Sequence, residues 1–294
     1  NEQRRFDFHH ALDHGKAVKA GHLDVEENQV RLFGLDLAES LLASRGRPKL
    51  IVANNVMAHV PDIQNFVAGI AVLVGPETRV SIENPSLINF LKEDQFDTIY
   101  HEHFSYLSFG TVVNIFAKNG LNVFDVEELG THGGSLRVYA QPSDSGSHLV
   151  SSRVDDLLSR ETLAGMSSIA FYQGLQEHAE KVKNEFLSFL IEQKKLGKVV
   201  VGYGAAAKGN TLLNFAGVKN DLIRYVVDRS PHKQNKFMPG SRIPIVSEER
   251  LSVDNPDFVV IFPWNISYEV KTQLSYLTKS GTKFVVAVPN LQIS

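Results

Sequence analysis

The sequence contains no cysteine. Disulfides and thiolate metal sites are excluded, and the composition suits a reducing compartment, taken here as the cytoplasm. Long apolar runs are also lacking: the most hydrophobic stretches, 50–54 and 258–264, have the length of strands, against the ~20 residues of a membrane-spanning helix. No membrane partner is expected. The 30 Lys and Arg never gather into a stripe, and with 33 acidic residues they leave a formal charge of −3, so nothing draws the chain to a phosphate backbone. Nucleic acid is not an expected partner. The start, Asn1-Glu2-Gln3-Arg4-Arg5, has neither Met nor an apolar signal core and reads as a fragment or a processed end.

What is present describes a folded protein. An apolar fraction of 43% with 21% charged residues lies far from the composition of disordered chains. The length of 294 residues exceeds the ~150-residue prior for one domain. From Lys49 onward, short β-rich apolar runs alternate with helical patterns, which predicts an α/β chain on largely parallel sheets. Strands are expected over 50–53, 79–82, 121–127 and 136–140, with helices over 61–73 and 108–119. Pro61 is read at the first helical turn. The last two strands of this half have no helix between them, and Gly130, Gly133 and Gly134 join them into an antiparallel end. Residues 151–197 are read as a long helical segment linking two lobes, with Ile169, Tyr172, Leu175, Ala179, Val182, Phe186 and Leu190 on one stripe. A second, smaller Rossmann-like set follows, with strands over 198–201, 223–227, 257–262 and 283–288 and helices over 206–215 and 267–280.

Reactive side chains are densest in Tyr100-His101-Glu102-His103-Phe104-Ser105-Tyr106, between a strand and a helix, where α/β folds place their chemistry. Two histidines around a glutamate suit a general base, because imidazole titrates near neutral pH. The competing readings are a solvated polar loop pinned by its aromatics, or a zinc site of His59, His101 and His103, for which no metal-binding spacing speaks. Upstream, a buried strand runs through Asn54 and Asn55 toward His59. The two asparagines suit either cofactor binding or a plain strand-ending turn. Ala58 and Val60 are expected to be buried, with His59 turned to a cleft. Downstream, Gly202-Tyr203-Gly204-Ala205-Ala206-Ala207-Lys208-Gly209-Asn210 is a strand, a glycine turn and a helix start, able to offer N–H groups and the Lys208 charge to an anion. With Ala at 207 it lacks the dinucleotide fingerprint. Asp228 stands where dinucleotide folds place an acidic ribose ligand, and tight strand–helix packing is the plainer account of the glycines.

Four blocks in order carry a resemblance: 53–62, 96–106, His132-Gly133-Gly134-Ser135-Leu136-Arg137 and 202–209. Together the chain resembles the S-adenosylmethionine-dependent sugar C-methyltransferases that methylate thymidine-diphosphate-linked 4-keto deoxysugars. The resemblance implies a class I, Rossmann-like methyltransferase domain over 30–150, a linking segment over 151–197 and a Rossmann-like C-terminal domain over 198–294. It also implies a cysteine-ligated zinc module, which a chain without cysteine lacks, and an acidic-glycine cofactor loop that 1–29 does not contain. Residues 1–29 are therefore read as truncated or divergent. By resemblance His103 is the base that removes a proton beside the sugar ketone, Glu102 orients it, and Tyr100 and His59 line the cleft. Asn54, Asn55 and His59 fall to the cofactor, S-adenosylmethionine; Tyr106, Gly202, Tyr203, Gly204, Lys208 and Asn210 fall to the nucleotide sugar. A monomer or weak homo-oligomer is expected. The rival readings are a degenerate relative that only binds a nucleotide sugar, and a nicotinamide-dependent nucleotide-sugar reductase or epimerase.

Overall fold

The structure, a computed structural model, describes the backbone of 18–20 and residues 35–294, apart from the His132 side chain. The expectations for 1–29 lie outside the described residues except for one short strand. The chain divides into two compact units, Asn1–Asn89 with Glu102–Phe171, and Phe90–His101 with Tyr172–Ser294. Both are α/β with parallel-rich sheets.

The first unit holds β1 (Val18–Ala20), α1 (Leu35–Arg45), β2 (Leu50–Asn54), α2 (Ile63–Leu73), β3 (Arg79–Pro85), the start of α3 (Leu87–Lys92), α4 (Phe109–Lys118), β4 (Leu121–Leu129), β5 (Ser135–Pro142) and α5 (Ser152–Leu163). Its sheet runs β1-β2-β3-β5-β4. The first three strands are parallel, and β5 returns antiparallel between β3 and β4. This is the antiparallel end that the glycines implied. Gly134 makes the turn possible: its φ is +110°, and a Cβ there would lie 2.4 Å from Asn89 Nδ2. Val80 and Ile82 point into the core with Phe66, Val67 and Ile70 of α2 and Phe109, Val112 and Phe116 of α4. Three helices of this unit start on side-chain caps, Asp62 accepting from the Asn65 N–H, Ser108 from the Thr111 N–H and Ser151 from the Arg153 N–H. Pro61 thus precedes the cap of α2 and does not occupy its first turn.

The second unit contains α6 (Leu175–Lys195), β6 (Val200–Tyr203), α7 (Ala207–Phe215), β7 (Val226–Val227), β8 (Ile245–Val246), α8 (Glu249–Asp254), β9 (Phe258–Ile261), α9 (Ser267–Gln273), β10 (Lys283–Val286) and β11 (Gln292–Ile293). From one edge the order is β8-β7-β6-β9-β10-β11, parallel except for β11. That is the doubly wound Rossmann order, third-second-first-fourth-fifth-sixth within the unit. The strands read as unbroken apolar runs because both faces are covered. Val200, Val226, Val260 and Val285 join one core with α6 and α7, while Val201, Val227, Val259 and Phe284 join the other with α8 and α9.

The helical stretch 151–197 is not continuous. It breaks between α5 and α6, where Gly165 (φ +82°) and Gly174 (φ +95°) take left-handed backbone that ends a helix. The expected stripe survives only from Ala179 onward, through Val182, Phe186 and Leu190; Ile169 is exposed. Likewise 267–280 is a short α-helix followed by a 3₁₀ segment over 275–280. The strand expected over 223–227 shrinks to the two residues that pair with Gly202 and Tyr203.

A buried acid on α5 ties the first unit together. Glu161 is 6% exposed and accepts the N–H groups of Phe109 at 2.7 Å and Gly110 at 2.9 Å. It thereby satisfies two N–H groups that the first turn of α4 cannot pair internally. Glu161→Ala is expected to lower the unfolding free energy of this unit by about 3 kcal/mol, and Glu161→Gln by roughly half as much because one acceptor oxygen remains. Urea unfolding of the three proteins measures both values.

Candidate active site

The polar end of the first sheet is built around Glu83. Its side chain, 5% exposed, accepts Thr131 Oγ1 at 2.9 Å through one oxygen and Arg137 Nη2 at 3.1 Å through the other. That hydrogen bond holds the Arg137 guanidinium above its ordinary range. The Glu83 carbonyl accepts the Asn55 N–H at 2.7 Å, and Asn55, at φ 55°, turns the chain out of β2 into the segment that carries His59. Asn tolerates this left-handed conformation better than most residues. Beside it, the side-chain oxygens of Asn54 and Asn84 are buried without a hydrogen-bond partner.

The turn then gathers the second histidine. The Ala58 carbonyl accepts N–H groups from both Phe104 at 2.8 Å and Ser105 at 3.2 Å. Ala58 and Val60 are buried and His59 is half-buried, the alternation read from the sequence. The His59 and His103 rings meet edge to face with centroids 4.7 Å apart, and Tyr106 stands 5.9 Å from His103. The first unit therefore brings together His59, His103 and Tyr106, with Asn54 and Asn55 at the head of the same turn. Glu102 is exposed in this unit, while Tyr100, half-buried, and His101, exposed, belong to the second. Among the described residues no group of three His, Asp or Glu is arranged to hold a metal ion.

The glycine turn of the second unit has clear packing reasons. A Cβ on Gly202 would lie 2.5 Å from Phe262, and one on Gly209 would lie 2.6 Å from the same ring; Gly204 takes φ +89° against Pro263. Asp228 accepts the Ala205 N–H at 2.8 Å and the Ser230 N–H at 2.9 Å, with Lys233 Nζ at 3.3 Å. Its carboxylate braces the turn. Tyr203 is buried, its hydroxyl taking Gln273 Nε2 at 3.2 Å. Lys208 is half-buried and donates to Asn265 Oδ1 at 3.0 Å, with Nζ 4.0 Å from the centre of the Trp264 ring. The Trp264 Nε1–H donates to Asp97 at 2.8 Å. Asn210 Oδ1 is buried without a partner.

With these positions in hand, the sequence profile described as the C-methyltransferase C-terminal domain matches residues 130–289, more than half of the chain. The chain belongs to this C-methyltransferase family. A relative, C-methyltransferase NovU of Streptomyces niveus, is 34% identical over 261 residues, which cover 89% of this family member and 62% of NovU. The chain thus spans less than two thirds of that relative's length. Among solved structures, magnesium protoporphyrin IX methyltransferase from Synechocystis PCC 6803 with bound SAH aligns at 14% identity over 32% of this chain and 44% of its own, with a TM-score of 0.25. An O-methyltransferase family protein from Burkholderia thailandensis aligns at 12% identity over 42% and 36%, with a TM-score of 0.28. Both likenesses are too slight to argue from.

Sequence reasoning singled out neither Glu83, which follows the strand expected over 79–82, nor Asp97, which lies inside the block 96–106. The signal available was an acid directly after a large apolar residue, Ile82-Glu83 and Phe96-Asp97, since a charge buried there needs a partner. Gly209 tests the packing account by the sign of its effect. Gly→Ala inside a helix ordinarily gains up to ~1 kcal/mol, whereas a methyl forced against Phe262 costs about 1–3 kcal/mol. Gly209→Ala is expected to destabilise the second unit by the difference, read from thermal unfolding.

Proposed function

We propose that this chain carries the catalytic part of an S-adenosylmethionine-dependent C-methyltransferase acting on a nucleotide-linked keto deoxysugar. The observation that carries the reading is the meeting of His59, His103 and Tyr106 beside the polar end of the first sheet; family membership supports it. His103 is half-buried. An imidazole is a suitable acceptor for the proton beside a ketone. Glu102 orients it, and His59 stabilises the enolate oxygen by hydrogen bonding.

The residues present also fit the cofactor. A buried carboxamide oxygen without a partner, as on Asn54, calls for a donor, and Asn54, Asn55 and His59 are assigned to hold S-adenosylmethionine. When bound, it supplies an electrophilic methyl group on sulfur. For the nucleotide sugar, Asn210 of the second unit is the best-supported contact, through its buried, unpartnered oxygen. Gly202, Tyr203, Gly204 and Lys208 are assigned to shape that part of the second unit. A nicotinamide cofactor is disfavoured, because the acid that would take its ribose, Asp228, is committed to the Ala205 and Ser230 N–H groups.

His103→Asn is expected to reduce methyl transfer at least ~100-fold, the scale of a lost general base, while S-adenosylhomocysteine binding by calorimetry stays within about threefold of wild type. Undiminished turnover in the variant removes His103 as the base. Failure of the wild-type chain to bind S-adenosylhomocysteine counts against the methyltransferase reading as a whole.

A further inference from the structure

The short segment Phe90–His101 packs within the second unit, although the sequence on both sides belongs to the first. Its single turn, Phe96–Thr98, is held there by three kinds of contact. Phe96 is buried in the core shared with α6 and α7 and meets Phe215 edge to face at 5.6 Å. Asp97, 1% exposed, accepts the Trp264 indole N–H. Thr211 Oγ1 lies 3.5 Å from the Ile99 carbonyl, a long hydrogen bond.

The place matters. Within the doubly wound sheet the strand order reverses between β6 and β9, and the crevice at the carboxyl ends of two such strands is where folds of this order take an anionic ligand. Lys208 follows β6, and Trp264 and Asn265 follow β9. Asp97 reaches both sets: it lines one small cleft with Lys208, Gly209, Phe262 and Trp264. One carboxyl oxygen takes the indole N–H, and the other is buried without a hydrogen-bond partner. A carboxylate so placed is costly to bury, and an apolar residue would fill the space at less cost. Its place beside a cation that is itself held by Asn265 and the Trp264 ring marks it as an internal ligand.

We propose that Asp97 is a built-in ligand of the second unit, seated where a doubly wound sheet takes a bound anion, and that it acts as a positioning residue for the stretch leading to Tyr100 and His101. The catalytic consequence rests on the methyltransferase reading; the occupancy of the crevice does not. It also accounts for Lys208, whose charge answers the chain's own carboxylate. Burial pushes the Asp97 carboxyl up to about 6, against the opposing pull of Lys208 and the Trp264 hydrogen bond. Burial likewise lowers Lys208. The other charged or titratable groups around the turn are Asp94 with its partner His178 on α6 at 2.9 Å, Lys183 of α6 over the Phe215 ring, and Glu93 and His101 in the segment itself.

Trp264 is the only tryptophan, so its emission reads this site directly. Because the Asp97 carboxyl is held above its ordinary range, it is neutral below and ionised above a midpoint of about 6, and the indole N–H meets a different acceptor on each side. Wild-type emission is expected to show one transition near that pH. Asp97→Asn should abolish it, His178→Asn and His101→Asn should leave it, and Lys208→Met, which removes the lowering cation, should move it upward. Amide exchange over 98–101 should speed at least tenfold in Asp97→Asn, and kcat for methyl transfer should fall roughly 10- to 100-fold, the scale of a displaced reacting group, with KM for the sugar nucleotide little changed. A transition that persists in Asp97→Asn overturns the internal ligand, and unchanged amide exchange overturns the positioning role. If wild type itself transfers no methyl group, the methyltransferase reading fails while emission and exchange still decide this proposal.

Discussion

The side chain of Glu83 is nearly excluded from water, and other groups must replace the hydrogen bonds it lost. Arg137 and Thr131 do so from the returning strand and from the turn that precedes it. This demand fixes the antiparallel insertion of β5 beside β3, since Arg137 faces Glu83 in the register of that pair. The same residue governs the other side through its backbone, whose carbonyl takes the Asn55 N–H. From Asn55 the order passes to Ala58, whose carbonyl gathers Phe104 and Ser105, and so to the two histidine rings. A polar constraint at one strand end thus places groups that lie more than forty residues apart in the sequence.

The second unit solves a different problem. Its sheet is covered on both faces, and the helix that follows β6 must approach the sheet closely. Phe262 sets the limit, because both Gly202 and Gly209 would drive a Cβ into its ring. Dinucleotide-binding turns use similar glycines to admit a pyrophosphate. Here the backbone N–H of Ala205 is spent on Asp228, and Lys208 faces Asn265 and Trp264. Similar grammar therefore serves packing and internal charge pairing.

Much of this was legible in the residues. The apolar runs that became β6, β9 and β10 were visible because fully covered strands have no polar alternation to disguise them. The turn after β2 was visible in Asn54-Asn55, and the half-burial of His59 in its apolar neighbours. Less legible were breaks made by backbone conformation alone: Gly165 and Gly174 interrupt what periodicity joined into one helix. The short elements α3, α8, β8 and β11 carry too few residues for a period to register. Least legible were the partners of buried acids. Nothing local to Asp97 announces Trp264, which lies 167 residues away, and nothing local to Glu161 announces the start of α4.

The central claim is that His103 draws a proton from the carbon beside a sugar ketone. Its most direct test is to incubate the protein with a thymidine-diphosphate-linked 4-keto deoxysugar in deuterium oxide, with S-adenosylhomocysteine present and no methyl donor, and to follow that carbon by NMR. The account predicts enzyme-dependent replacement of hydrogen by deuterium at that one position, well above the rate in buffer. Methyl transfer by the protein with no exchange above buffer would contradict it.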